Sequence, residues 1–274
     1  MIKTIYCLSV TLLFCVSLYS QSTGDGETPP VPKVNRVIPL AVEQTGSPSG
    51  VFFSQDFDRS HNLKMEFHDT GNISDSVMSI SNQDAFSGNK SLRNSYFSKD
   101  YYSKDEDPGS SGWVWQYFGD NKLGTSVPIP DTTPQTRIFA RWYHKFEEGF
   151  SSQEERGTLP PKMARMRCFT TPWKAVYTVL FWIGGEKGYI TIQQHTRAPD
   201  VEREWRPNYH TTFYLNTPEN LGRWIHMELG VTLGEGHHSD RIQTWADGKL
   251  ICDMANQDLA GGHRKETLNG MSWD

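Results

Sequence analysis

From residue 51 onward, apolar positions come in short runs or alternate with polar ones, and Gly, Pro, Asn and Asp interrupt the runs. Residues 51–57, 77–81, 91–96, 113–118, 137–146, 162–169, 175–183, 189–196, 211–215, 223–233, 241–246 and 250–253 read as strands. No long segment carries a helical period, so the pattern predicts an all-β sandwich. In residues 137–146, period two sets Ile138, Ala140, Trp142, His144 and Phe146 against Arg137, Phe139, Arg141, Tyr143 and Lys145. Residues 224–231 give a second buried stripe, Ile225, Met227, Leu229 and Val231, opposite Trp224, His226 and Glu228. Asp247-Gly248 between two such runs is a two-residue hairpin signal. The sequence shows no internal repeat at solenoid or propeller spacing.

Ahead of this region the pattern differs. Residues 21–50 are rich in Ser, Thr, Gly, Pro and Glu, as in Thr28-Pro29-Pro30-Val31-Pro32, and read as a linker. Residues 1–20 read as a secretory signal peptide, with Lys3 before an apolar stretch and Leu18-Tyr19-Ser20 at the expected cut. The apolar span is short for a retained membrane anchor. Residues 51–274 then form the single folded domain. It ends abruptly at Met271-Ser272-Trp273-Asp274, where a sandwich would be expected to add one more strand, so truncation at the C-terminus is an expectation.

Composition narrows the function. The 27 Lys and Arg against 32 Asp and Glu give a formal charge of -5, so nucleic acid is a poor default partner. Four cysteines and one apolar run exclude a disulfide miniprotein and a polytopic membrane protein. Signal removal leaves Cys168 and Cys252, which an oxidising compartment would let pair and which buried strands would equally hold as free thiols. No G-x-G-x-x-G, G-x-x-x-x-G-K, H-E-x-x-H or C-x-x-C motif is present, which argues against nucleotide cofactors and the familiar zinc sites. Gly46-Ser47-Pro48-Ser49-Gly50 has Pro where a nucleophile elbow has Ser. His237-His238 reads as a solvated turn. Lys104-Asp105-Glu106-Asp107-Pro108-Gly109 reads as an acidic turn able to offer oxygen ligands to calcium. Asn72-Ile73-Ser74 and Asn89-Lys90-Ser91 are sequons, relevant only in a glycosylating host.

One stretch carries candidate chemistry. In Tyr189-Ile190-Thr191-Ile192-Gln193-Gln194-His195, Ile190 and Ile192 point inward, and Tyr189, Thr191, Gln193 and His195 line the opposite face. The row of Arg141 and Tyr143 is expected beside it, with Arg165 and Arg167 from Met163-Ala164-Arg165-Met166-Arg167. Together these supply carboxylate neutralisers, a general base and a proton donor. A merely solvated sheet face shows the same polar alternation.

Arg141-Trp142-Tyr143-His144-Lys145-Phe146-Glu147-Glu148-Gly149-Phe150, followed by Gly157-Thr158-Leu159-Pro160-Pro161-Lys162, resembles the strand and lysine-proline loop of jelly-roll polysaccharide lyases. Residues 222–228 and 240–250 resemble the paired strands of concanavalin A-like sandwiches, and Gln193-Gln194-His195 resembles the Gln-x-His strand of alginate-type lyases. The resemblance runs from about residue 51 to the end. It implies a concanavalin A-like jelly roll in which Gln193 binds a uronate carboxylate and His195 assists proton abstraction. Two family features depart: the Arg-x-Glu-x-Arg strand is at best Arg141 and Tyr143, and the C-terminal tyrosine is missing. The Glu-x-Asp-x-Glu strand of sandwich glycosidases is absent too, which ranks elimination above hydrolysis.

The implied protein is a secreted or periplasmic monomer that cleaves an acidic polysaccharide by β-elimination. Arg141 and Gln193, with Arg165, would neutralise the carboxylate, and His195 or Tyr143 would take the proton. Arg167, Lys162, Tyr189 and Trp245, and also Trp182, would line the substrate path. No redox or organic cofactor and no catalytic metal is called for, a structural calcium at most, and no nucleic acid or membrane is a partner after signal cleavage. A non-catalytic, lectin-like carbohydrate-binding module is the alternative, and an adhesion domain without a glycan site is the third reading.

Overall fold

The computed structural model describes residues 2–7, 55–59, 62–71, 73, 77–97, 112–120, 129, 132–148, 150, 162–171, 174–184, 188–196, 204–205, 209–215, 217–261 and 265–273. Its elements are β1 (Ile2–Cys7), α1 (Leu63–Glu66), β2 (Asp69–Gly71), β3 (Met78–Ser81), β4 (Ser91–Phe97), β5 (Trp113–Tyr117), β6 (Arg137–Phe146) and β7 (Lys162–Thr171). There follow β8 (Lys174–Gly184), β9 (Tyr189–Thr196), β10 (Glu204–Trp205), β11 (Tyr209–Tyr214), β12 (Trp224–Thr232), β13 (Asp240–Ala246), β14 (Lys249–Gln257) and β15 (Gly270–Trp273). Residues 21–50, the elbow-like Gly46–Gly50 stretch, the acidic turn at 104–109, the proline loop at 157–161, Asn72 and most of the 51–57 strand lie outside the described residues.

The strands form two sheets. The first runs β14-β13-β12-β6-β1-β4-β3, and the second runs β10-β9-β8-β7-β15-β5-β2 with β11 also paired to β9. Every pairing between these strands is antiparallel. This is the all-β sandwich that the alternation predicts, in the jelly-roll form that the resemblance implies. β1 lies between β4 and β6, although its residues fall in the segment expected to be a signal peptide. Cleavage after Ser20 would remove it from the sheet. The C-terminal Gly270–Trp273, in which the pattern suggested no strand, sits between β5 and β7.

Period two explains the core. Ile138, Ala140, Trp142 and Phe146 of β6 and Ile225, Met227, Leu229 and Val231 of β12 face inward, against Val179, Phe181, Ile183, Ile190 and Ile192 of the second sheet. Trp142 and Phe181 meet edge to face across the layers, with ring centroids 6.3 Å apart. His144 shares the inward face of β6, and burial pushes its imidazole down to about 3, so it is neutral in the fold. Asp247 and Gly248 have φ of 50° and 75°, the left-handed pair that a tight hairpin between β13 and β14 requires. Cys168 on β7 and Cys252 on β14 are both buried and free, one in each sheet, and burial raises each thiol to about 12. Among the described residues, no helix is long and apolar enough to cross a membrane.

Candidate functional site on the outer face of the second sheet

The register of the second sheet places polar side chains in rows that cross its strands. Gln193 is level with Leu180, Arg165, Ser272, Trp115 and Asp69 on β8, β7, β15, β5 and β2. His195 heads the next row, with Thr178, Arg167, Gly270 and Tyr117. On the other side of Gln193, Thr191 is level with Trp182 and Lys162, and with His210 on β11. Gln193, His195, Arg165, Arg167, Lys162 and Tyr189 therefore belong to one sheet face. The backbone of His195 is paired to Thr178 and Trp205; its side chain lies outside the described atoms.

Two parts of this face are chemically distinct. At the β9–β11 end, Thr191 is fully buried and its hydroxyl lies 3.0 Å from Nδ1 of His210, while the Tyr189 ring meets the imidazole edge to face at 4.6 Å. This pairing engages Nδ1 and leaves Nε2 as the nitrogen that can meet a ligand. At the β7–β5 end, the guanidinium carbons of Arg165 and Arg167 lie 5.2 and 5.1 Å from the centre of the Trp115 ring. Arg165 Nε also donates to Ser272 Oγ at 3.2 Å. Two cations gathered over one indole make a strong local preference for an anion.

Trp115, Tyr117 and Phe169 form a small apolar cluster around that pair. Gly270 makes room for it: a Cβ there would come within 2.8 Å of the Phe169 ring and 3.2 Å of Tyr117. Burial raises the Tyr117 phenol, the charge of Asp69 raises it further, and Arg167 opposes both. The Asp69 carboxyl is itself pushed up by burial, against a backbone N–H bond from Thr70. Its Oδ2 is buried and makes no hydrogen bond among the described residues.

The expected partnership of Arg141 and Tyr143 with Gln193 does not form. Arg141, Tyr143 and Trp245 lie on the outer face of the first sheet, so the whole sandwich separates them from β9. Arg141 is instead paired to Glu228, Nη2 to Oε2 at 3.0 Å. Tyr143 is stacked between Phe86 and His226, at 3.6 and 4.8 Å. Alternation gave the correct face of each strand, but it carries no information on which of two sheets a strand joins.

Sequence reasoning also missed His210, Trp115, Tyr117 and Asp69. The spacing of Trp113, Trp115 and Tyr117 was a legible signal, because period two puts all three on one face. His210 stood just outside the 211–215 strand and offered no such cue. Among the described residues, no cluster of three or more His, Cys, Asp or Glu could hold a metal ion.

No protein-family model matches the sequence, and no curated protein matches it. Among solved structures, the chain is similar to endo-beta-1,4-glucuronan lyase from the fungus Trichoderma reesei, at 12% identity and a TM-score of 0.38, over 76% of this chain and 78% of that one. It is also similar to a mutant of alginate lyase Aly36B in complex with alginate tetrasaccharide, at 14% identity and a TM-score of 0.40, over 76% of each chain.

Proposed function

We propose that this protein is a secreted polysaccharide lyase that cleaves a uronate-containing glycan by β-elimination on the outer face of the second sheet. The observation that carries the reading is the combination on that face of Gln193, an imidazole held through Nδ1 and a guanidinium pair over Trp115. Gln193 binds the carboxylate of the sugar to be cleaved, which makes the neighbouring proton more acidic. His210 through Nε2, or His195, removes that proton. The electron pair left behind becomes a carbon–carbon double bond as the glycosidic oxygen leaves with a proton, delivered by the imidazolium or by water. Strands are spaced by about 4.8 Å, so Arg165 on β7 stands roughly 14 Å across the sheet from His210 on β11. Arg165, Arg167 and Lys162 accordingly hold neighbouring sugars of an extended chain rather than the reacting one, and Tyr189, whose ring meets His210 at 4.6 Å, stands at the reacting one. The protein acts as a monomer and needs no organic cofactor in this reading.

That same separation favours one competing reading, a lectin-like module that binds acidic glycans without turnover. The test is absorbance near about 235 nm, where the unsaturated uronate product absorbs, across a panel of acidic polysaccharides. A rise that disappears in Gln193→Ala and in His210→Ala or His195→Ala supports the lyase. A flat trace with acidic glycans still bound would leave the binding module.

A further inference from the structure

The outer face of the second sheet differs between its two ends. At the β11 end His210 is exposed, and Tyr214, level with Tyr189, is 39% exposed. Towards the middle, Thr191 on β9 and Thr178 and Leu180 on β8 are buried, as short outward residues are between longer neighbours. They make a floor. Trp115 on β5 is a different case, because an outward indole that is 3% exposed must have atoms on top of it. The guanidiniums of Arg165 and Arg167 stand against its ring, and Ile129, from the segment between β5 and β6, packs on the cluster of Trp115, Tyr117 and Phe169. Tyr117 is buried too, with the His68 ring 5.5 Å away. Between β7 and β5, Ser272 and Gly270 on β15 are buried. On β2, beyond β5, the Trp113 indole fills the place that a Cβ at Gly71 would take. Among the described residues, this face is therefore a groove open at β11 and closed past β7.

The last open strand carries the cations. Lys162, Arg165 and Arg167 of β7 share the face with Gln193, and Arg165 is level with it two strands away, about 10 Å. A 1,4-linked pyranose lengthens a glycan by roughly one strand spacing. A chain that crosses the strands with one carboxylate at Gln193 thus brings the carboxylate of the second sugar along to Arg165. A further step would press the next sugar on β15 and the covered indole, with the acidic Asp69 level behind it. Room for the chain and charge to receive it run out at the same strand.

We propose that Arg165 and Arg167 seat the end of the glycan, so that the enzyme cuts at a fixed distance from a chain terminus instead of at random along the polymer. The proposal rests on elimination at Gln193 and His210. Gln193 holds the sugar that loses its proton, and the bond between C4 of that sugar and the glycosidic oxygen breaks. When the terminus at β7 lies on the same side of that bond as the reacting sugar, the product is an unsaturated trisaccharide. When it lies on the other side, the product is a disaccharide. In both cases the early products have one size.

The experiment mixes the full-length protein with alginate, polygalacturonate, hyaluronan or glucuronan and follows viscosity, ultraviolet absorbance and product size together. On the polymer that is cleaved, absorbance should rise while viscosity holds, and the early products should be uniform. Arg165→Gln should raise KM for that polymer about tenfold and spread the product sizes, with Arg165→Lys in between; far-ultraviolet circular dichroism checks that both variants fold. Viscosity that collapses before much product has formed, or a ladder of early product sizes, would show a chain running through the face and overturn the proposal. Absence of turnover on all four polymers would defeat the lyase reading, and the closed end is then read by displacement of a labelled polymer. Short fragments should displace it in proportion to their number of chain ends. Displacement in proportion to total sugar, or no binding of any of the four, would overturn the closed end as well.

Discussion

Substituting Arg141 separates the two sheet faces as sites of acidic-glycan chemistry. Arg141 Nη2 and Glu228 Oε2 are 3.0 Å apart with side chains 22% and 18% exposed, so the pair is screened by protein on most sides. At an effective dielectric near 20, the gross attraction at about 4 Å is ~4 kcal/mol. Desolvation and the ordering of two side chains remove most of it, leaving a coupling of ~1–2 kcal/mol. In a double-mutant cycle of Arg141→Met and Glu228→Gln, urea unfolding should return that coupling, with each kcal/mol shifting Tm by about 2–4 °C. Burial is the main cause that holds the His226 pKa down, and Glu228, 3.8 Å away, opposes it; Arg141→Met takes away a further charge that lowers it. Proton NMR of the imidazole should therefore show the His226 pKa rising. Elimination or binding of acidic glycans should change by less than about twofold. A large loss of turnover with the unfolding midpoint unmoved would show that Arg141 is a carboxylate clamp and would refute the assignment of the acidic site to the second sheet.

Four further outcomes are expected. His144 has its pKa lowered to about 3 by burial; its unfolded value is higher, so the stability it contributes is complete above pH ~6.5 and is lost as pH falls towards 3. Relative to the parent, His144→Leu should gain about 2 kcal/mol on going from pH 7 to 5 in urea titrations, and an unchanged difference would show that the imidazole does not titrate with unfolding. Gly270→Ala should cost ~1–3 kcal/mol, read by urea unfolding, because its methyl group would press on Phe169 and Tyr117. Cys168 and Cys252 should resist a thiol reagent in the native protein and react on unfolding, since both are buried with raised pKa; fast native labelling would contradict their burial. N-terminal sequencing of exported protein should begin at Gln21, and a mature chain that keeps residues 2–7 would show instead that β1 is a permanent strand.

Much of the fold was written locally. The limits of β6 and β9 match the sequence reading, β13 and β7 differ by one or two residues at one end, β12 by one residue at each end, and the Asp247-Gly248 hairpin is in place. Each depends on period two or on turn chemistry, which a short stretch of residues specifies by itself. β14 runs on to Gln257, well past the 253 expected, because its pairing with β13 continues to Asp240. β15 was invisible: four residues with no alternation become a strand because β5 and β7 offer hydrogen-bonding edges on both sides.

The candidate site divides along the same line. The sequence determined that Gln193, Arg165, Arg141 and Tyr143 face outward, since the inward partners of each strand are apolar and must be buried. Tertiary structure alone decided that β7 and β9 share one sheet while β6 lies in the other, and so which outward residues can meet one ligand. It likewise placed His210 beside Thr191 and both guanidiniums over Trp115. Strand partnership is a competition among long-range pairings with similar local patterns, settled by how all the strands together close the core.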